Sequence, residues 1–271
     1  RWWKRQNPIK QDRFATLAPI AAVLLFFSAI SLSFWYLKIE EADREQEAVK
    51  RDVEYSQQRL RLRLLERQEQ VMRLARDISN NDVDTKEFGR RAETMVLKNP
   101  EVQTLAWIDE KRKIIASQTA PSIVVSLKWR VGDVLKWGES ENNYSLARDL
   151  MQPVYSQEDD GIFAIGSNSI GQDNYARNMV LQLHTPLTNS QGRFNGVIMA
   201  EYSAESLLRY GVPSEILAKY AVSLIDSDGN LIAGQSIPKR NNFWNFMPGI
   251  SGQNNEYEVP VSPVGNGLIL R

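Results

Sequence analysis

The sequence predicts an α+β chain: a membrane-spanning helix near the N-terminus, a long extracytoplasmic helix behind it, and two tandem antiparallel-sheet units. Three observations carry this reading. Residues 14–37, FATLAPIAAVLLFFSAISLSFWYL, hold no charged side chain. Residues 39–79 contain neither Gly nor Pro and are rich in Glu, Arg, Gln and Leu. Beyond residue 100 the pattern changes to short apolar runs and turns, and two such motifs occur twice.

A bilayer core of about 30 Å needs roughly 20 apolar residues as helix, which residues 14–37 supply. Pro19 lies near the start of that span, where a missing N–H is tolerated. Trp35 and Tyr36 fall at the depth of an aromatic belt. A signal-peptide core spans only about 7–15 residues, so a permanent anchor is expected. Arg1, Lys4, Arg5, Lys10 and Arg13 precede the span, and Glu40, Glu41, Asp43, Glu45 and Glu47 follow it. Basic residues accumulate on the cytoplasmic side, which puts residues 1–13 in the cytoplasm and residues 38–271 on the periplasmic side of an inner membrane. The lipid bilayer is therefore an expected partner. Because the chain opens at Arg1 rather than Met, a fragment or a processed product is expected.

The long helix is expected over residues 38–80. Val53, Leu60, Leu64, Val71, Ala75 and Ile78 recur at spacings of three, four and seven, forming one apolar stripe. The 53, 64, 75 spacing suits a parallel pair of nearly straight helices, so a homodimer through this helix is expected. The competing reading is that the stripe packs on the chain's own sheet and leaves dimer contacts to the membrane-proximal turns. Its arginines alternate with Glu54, Glu66, Glu69 and Asp77, as on a solvated face. With a net charge of zero, no nucleic-acid partner is expected. Ser79-Asn80-Asn81 stops the helix. A second helix should open at Asp84 with Glu87 three residues later, a capping-box spacing, and end by Asn99, before Pro100.

Residues 106–117, AWIDEKRKIIAS, and 223–234, SLIDSDGNLIAG, each read as strand, polar turn and strand, with Asp109 matching Asp226. A second echo joins 185–199, TPLTNSQGRFNGVIM, to 259–270, VPVSPVGNGLIL, in the same order. Two related units follow, at 81–203 and 220–271, joined by a linker helix at 204–219 with Ser203 as its cap. The first carries a long excursion between its hairpins, where binding segments concentrate, so it is the expected receptor unit.

Little here suggests catalysis. His184 is the single histidine and cysteine is absent. No G-x-S-x-G elbow or phosphate-binding glycine loop occurs. The acidic run Glu158, Asp159 and Asp160 lacks calcium-loop spacing. No catalytic residue, metal or cofactor is expected. Binding has better material. Tyr144 and Arg148 lie four apart on a short helix, with Tyr155 in the strand that follows. Strand alternation puts Gln182 and His184 on one face of Met179–Thr185. With Arg177 and Trp107, these form the candidate set for a small carboxylate, since arginine's planar fork matches one bidentately. Core packing and structural ion pairs account for such residues equally well.

The strings GRFNGVIMAEYSAESLLRYGVP (192–213), YAVSLIDSDGNLIAGQS (220–236) and NYSLARDLMQPVYS (143–156) resemble double Cache sensor regions, also called PDC or extracellular PAS-like domains, of bacterial transmembrane histidine kinases. The resemblance covers roughly residues 39–271. It implies two PAS-like units, a small-molecule ligand in the membrane-distal one (81–203), a membrane-proximal unit (220–271), and a second transmembrane helix leading to a cytoplasmic kinase. The same input region feeding a diguanylate cyclase or chemoreceptor, a membrane-anchored partner-binding module, and a tethered hydrolase using His184 are the alternatives.

Overall fold

The computed structural model describes residues 10–121, 129–135, 139–159, 179–235, 256–261 and 267–271. The chain divides into two compact units, Arg1–Arg51 and Asp52–Arg271.

In the first unit the backbone forms the N-terminal part of one continuous helix, α1 (Lys10–Ser79), which covers both helices expected separately. Pro19 therefore lies inside a helix rather than at its start, and one backbone hydrogen bond is left unmade. Leu24, Phe27 and Trp35 expose their side chains. This stretch is long and apolar enough to cross a membrane. Beyond it, Arg44 donates to Glu40 at 2.6 Å, an exposed pair one helical turn apart.

The second unit holds the rest of α1 and every other element among the described residues. Helix α1 stops at Ser79, and Asn81 takes φ 63°, as the Ser-Asn-Asn break predicts. Helix α2 (Thr85–Lys98) is capped by Asp84, whose carboxylate accepts from the Glu87 N–H at 2.8 Å. The reciprocal half of the capping box is missing, because the Glu87 carboxylate is turned to Arg90 and Arg91 instead.

Strands β1 (Val102–Asp109), β2 (Ile114–Thr119), β3 (Val154–Asp159), β4 (Met179–Thr188) and β5 (Phe194–Ser203) form an antiparallel sheet in the order β2-β1-β5-β4-β3. Helix α3 (Glu139–Leu150) lies between β2 and β3 in the chain. The expected linker helix is split: α4 (Ala204–Gly211) and α5 (Ser214–Lys219) flank Val212-Pro213. Ser203 caps α4 as expected, accepting from the Ser206 N–H at 3.1 Å. Strands β6 (Ser223–Ile225), β7 (Leu231–Gly234), β8 (Val259–Pro260) and β9 (Ile269–Leu270) form a second antiparallel sheet, ordered β7-β6-β9-β8. That order repeats β2-β1-β5-β4 of the first sheet.

The repeat extends to atomic detail in the turns. Asp109 Oδ1 accepts from the N–H groups of Lys111 and Lys113, and Asp226 Oδ1 accepts from those of Asp228 and Asn230. The β4–β5 turn is a third copy, with Asn189 Oδ1 accepting from Gln191 and Arg193. Each places a left-handed residue three positions on: Arg112, Gly192 and Gly229 at φ 66°, 71° and 82°. A short Asp or Asn side chain suits this turn because it bonds backbone N–H groups two or more residues ahead.

The second echo aligns differently in space than in sequence. Matching the Asn-Gly pairs equates Val197 with Leu268, yet Val197 stands opposite Ile108 and Ile269 stands opposite Ile225. The spatial repeat is displaced by one residue. A one-residue slip exchanges the two faces of a strand, and Ile198 and Leu270 are the residues that share the core.

One face of the first sheet packs on α1. Leu60, Leu64, Val71, Ala75 and Ile78 are buried with Leu105, Leu181, Leu183, Ile198 and Tyr202, and the same core continues into Leu224, Ile232 and Leu270 of the second sheet. The stripe expected to form a dimer seam is thus consumed within the chain. A buried acid fixes this packing. Arg63 donates Nε and Nη2 to the two Glu101 oxygens at 2.8 and 2.9 Å, and Arg67 donates Nε to Oε1 at 2.8 Å. Burial pushes the Glu101 carboxyl up, and the hydrogen bonds from Arg63 and Arg67 more than reverse it, leaving it below its ordinary range.

Candidate functional site

Helix α3 covers the opposite face of the five-stranded sheet. Tyr144 and Ala147 pack there with Trp129, Leu135, Ala106, Ile108, Val197 and Met199. Alternation along β1, β4, β5 and β3 brings Thr104, Gln182, Glu201 and Ser156 to this same face. The register then places them side by side. Thr119 stands opposite Thr104, Thr104 opposite Glu201, Glu201 opposite Gln182, and Gln182 opposite Ser156. One row of polar side chains therefore crosses all five strands.

Thr104, Gln182 and Glu201 are buried in that row. Thr104 and Thr119 hydroxyls lie 3.3 Å apart. Gln182 Nε2 donates to Glu201 Oε1 at 3.0 Å. Gln182 Oε1 lies 3.2 Å from His184 Nε2, so the next residue on the same face joins the chain. Burial pushes the His184 imidazole down to about 4, so it is neutral at physiological pH. Among the described residues, His184 Nδ1 and Ser156 Oγ have no hydrogen-bond partner although both atoms are buried.

Gln182 and His184 fall on the face opposite Leu181 and Leu183, as strand alternation predicted. The remaining candidates are not gathered with them. Tyr144 is buried under α3, but its hydroxyl donates to the Asp109 carbonyl at 2.7 Å and its ring meets Phe194 edge-on at 5.5 Å. Burial pushes that phenol up to about 12. Arg148, four residues on, is exposed and donates to its neighbour Asp149 at 2.8 Å. Tyr155 points to the α1 side of the sheet, where its hydroxyl donates to Gln68 Oε1 at 3.2 Å. Trp107 also belongs to the α1 side, with its ring 5.9 Å from Phe88 of α2. In both cases the strand's period of two decides: neighbours of face residues point away. Arg177 lies outside the described residues.

Thr104, Thr119, Ser156 and Glu201 belong to the face but not to the candidate set. Glu201 left a readable signal, being the one charge in the apolar run VIMAEYS. The others became visible only through cross-strand register.

No protein-family model matches the sequence, and no curated protein matches it. Solved structures do resemble it. The ligand-binding domain of Campylobacter jejuni chemoreceptor Tlp3, in complex with 4-methylisoleucine, is 12% identical with a TM-score of 0.51, covering 73% of this chain and 75% of that one. An extracellular ligand binding receptor from Desulfohalobium retbaense is 16% identical with a TM-score of 0.48; the match covers 66% of this chain and spans only 29% of that receptor. The extracellular domain of a protein described as a histidine kinase, rpHK1S-Z16, is 14% identical with a TM-score of 0.43, covering 68% and 69%. The chain shares the fold of the Tlp3 ligand-binding domain.

Proposed function

We propose that this chain is the extracytoplasmic sensing region of a membrane-bound signalling protein of the double Cache type, and that a small molecule binds the α3-side face of its five-stranded sheet. The polar row through Thr104, Glu201 and Gln182 carries the reading. Buried polar groups cost stability unless they are satisfied, so a purely structural sheet would fill these positions with apolar side chains. The repeated strand order of the two sheets supports two PAS-like units. The apolar stretch of α1 anchors the chain, with the basic N-terminus cytoplasmic and the sheets outside. A histidine kinase is the proposed output module, and a chemoreceptor output is the second reading, favoured by the Tlp3 likeness. Ligand binding drives the output only if affinity differs between two arrangements of the chain.

The test is a thermal-shift screen of the whole chain in lipid nanodiscs against small metabolites, because a ligand that binds only the native state raises its apparent stability. The shift should vanish in Glu201→Gln and Gln182→Ala. A shift that survives both changes removes the ligand from this face.

A homodimer through α1 remains part of the proposal, on another surface. Tyr55, Leu62 and Leu65 are exposed on α1 while Leu60 and Leu64 are buried, and their spacing of seven and three suits a helix–helix seam. The chain has no cysteine, so introduced cysteines report cleanly. Leu62→Cys should crosslink between copies and Leu64→Cys should not; equal crosslinking, or none, removes this seam.

A further inference from the structure

We propose that His184 is a hydrogen-bond acceptor that selects a ligand group carrying an N–H or O–H donor and rejects a carboxylate at the same place. The inference rests on the reading of the α3-side face as the binding face, and it replaces the arginine-bound carboxylate that the sequence predicted.

The argument starts from proton direction. Gln182 turns its amide N–H₂ to Glu201, whose carboxyl oxygen accepts. Gln182 Nε2 lies 3.0 Å from Glu201 Oε1. The amide oxygen is then turned to His184, 3.2 Å away. That oxygen is also an acceptor, so the imidazole must meet it with Nε2–H. A neutral ring has one N–H, which leaves Nδ1 a bare lone pair.

Nothing among the described residues donates to Nδ1, although the side chain is 0% exposed. An acceptor left unmade in the interior costs more than an ordinary hydrogen bond returns. Ser156 Oγ is likewise unpartnered and sits on the adjacent strand, opposite Gln182 while Val154 is opposite His184. The two open groups therefore flank one spot on the sheet. A ligand donor satisfies Nδ1 and can share the serine hydroxyl. A carboxylate there would face a lone pair and gain no donor from the ring. The donor can be neutral, an amide or hydroxyl, or cationic, an ammonium.

The chain has a single histidine, so imidazole ¹⁵N NMR of the full chain in nanodiscs reports on it without assignment. The expected spectrum at pH 7 shows Nε2 protonated and Nδ1 bare; an Nδ1–H tautomer overturns the proposal whether or not the protein senses anything. Acetamide, ethylammonium and acetate, matched in size and added at equal concentration, are the probes. Movement of the Nδ1 resonance by acetamide alone supports a neutral donor, and movement by ethylammonium alone supports a cationic one. Acetate moving Nδ1, or none of the three moving it, overturns the proposal. A metabolite that raises the melting temperature through Glu201 and Gln182 yet leaves Nδ1 unmoved defeats the role of His184 while the sensing face stands.

Discussion

The two sheets share a strand order and a turn, but they are tied to helix α1 in different ways. The five-stranded sheet meets it through the apolar side chains of Leu60, Leu64, Val71 and Ala75 and through a fully buried carboxylate, Glu101, held by Arg63 and Arg67. The four-stranded sheet shares that core through Leu224, Ile232 and Leu270, and the polar ties from it and its approach to the helix lie nearer the solvent. Asp52 accepts from the Tyr220 hydroxyl at 3.1 Å and lies 3.5 Å from Lys219 Nζ, Glu54 accepts from Tyr257 at 3.3 Å, and Gln57 donates to the Pro260 carbonyl at 3.0 Å. The same architecture thus has one desolvated polar attachment and one partly solvated polar attachment. Only the former sheet has the polar row on its other face among the described residues. The desolvated attachment holds the five-stranded sheet against helix α1.

The sharpest way to break this contrast is at Glu101. Removing one member of a buried ionic group strands the others, which typically costs about 3–5 kcal/mol. Glu101→Ala should lower stability by that amount in chemical denaturation, leaving Arg63 with the Tyr210 carbonyl and Arg67 with Glu66 as partners. Because its folded carboxyl lies below the ordinary range, its contribution is present above the unfolded carboxylate value and is lost as pH falls through the folded one. A loss of less than about 1 kcal/mol in Glu101→Ala would mean the two attachments are alike.

The next largest effect tests the one-residue displacement between the repeats. Gly196 takes φ 122°, and a Cβ there would lie 2.2 Å from the Ile108 carbonyl oxygen. Gly196→Ala combines backbone strain with overpacking, an expected loss of about 3–4 kcal/mol by denaturation. By register its spatial counterpart is Leu268, a buried core residue rather than a glycine. Gly267, the glycine that sequence matching would pair with Gly196, should tolerate alanine better, although its φ of 64° still charges some strain. Equal losses at the two glycines would restore the sequence alignment.

That displacement marks where the sequence was legible and where it stopped. Elements were visible because caps, breaks and periodicities are local: the Ser79 stop, the Asp84 cap and the Asp109 and Asp226 turns all follow from residues within five positions of one another. Faces within a single strand were legible too, as Gln182 and His184 demonstrate. Sides of the sheet were not. Tyr155 and Trp107 were assigned by nearness in the chain, whereas their direction depends on which face α1 occupies. The stripe on α1 was visible as apolar, but periodicity cannot distinguish a partner helix from the chain's own sheet. The polar row is a property of register among strands up to a hundred residues apart, and of its members only Glu201 departs enough from its neighbours to be noticed alone.

The five-stranded sheet should also carry a pH signature. The His184 imidazole titrates near 4 when folded, because burial disfavours the charged ring, and near 6.5 when unfolded. Between those values the unfolded chain binds more protons, so stability is fully present above about 6.5 and falls as pH drops towards 4, by up to about 3 kcal/mol. Denaturation midpoints measured across that window should decline, and His184→Phe should flatten the part of the decline that lies above pH 5. The same slope in the variant would place its origin in other groups.

The smallest effect belongs to the solvated attachment. Asp52 keeps a quarter of its side chain in water and Lys219 keeps more than half, and Lys219 also lies 4.7 Å from the centre of the Tyr220 ring. Both partners retain much of their hydration, so the ion pair recovers little on forming and salt screens what remains. Tyr220 can bond water when its acceptor is removed. Asp52→Ala should therefore lower stability by less than about 1 kcal/mol, and most of that loss should disappear at high ionic strength. The informative quantity is the difference from Glu101→Ala measured in the same salt series, since the buried carboxylate should respond weakly to salt while the partly exposed one responds more strongly. A loss at Asp52 as large as at Glu101, unchanged by salt, would mean that the four-stranded sheet is held by a desolvated contact after all, and that the two sheets differ in length but not in how they grip the helix.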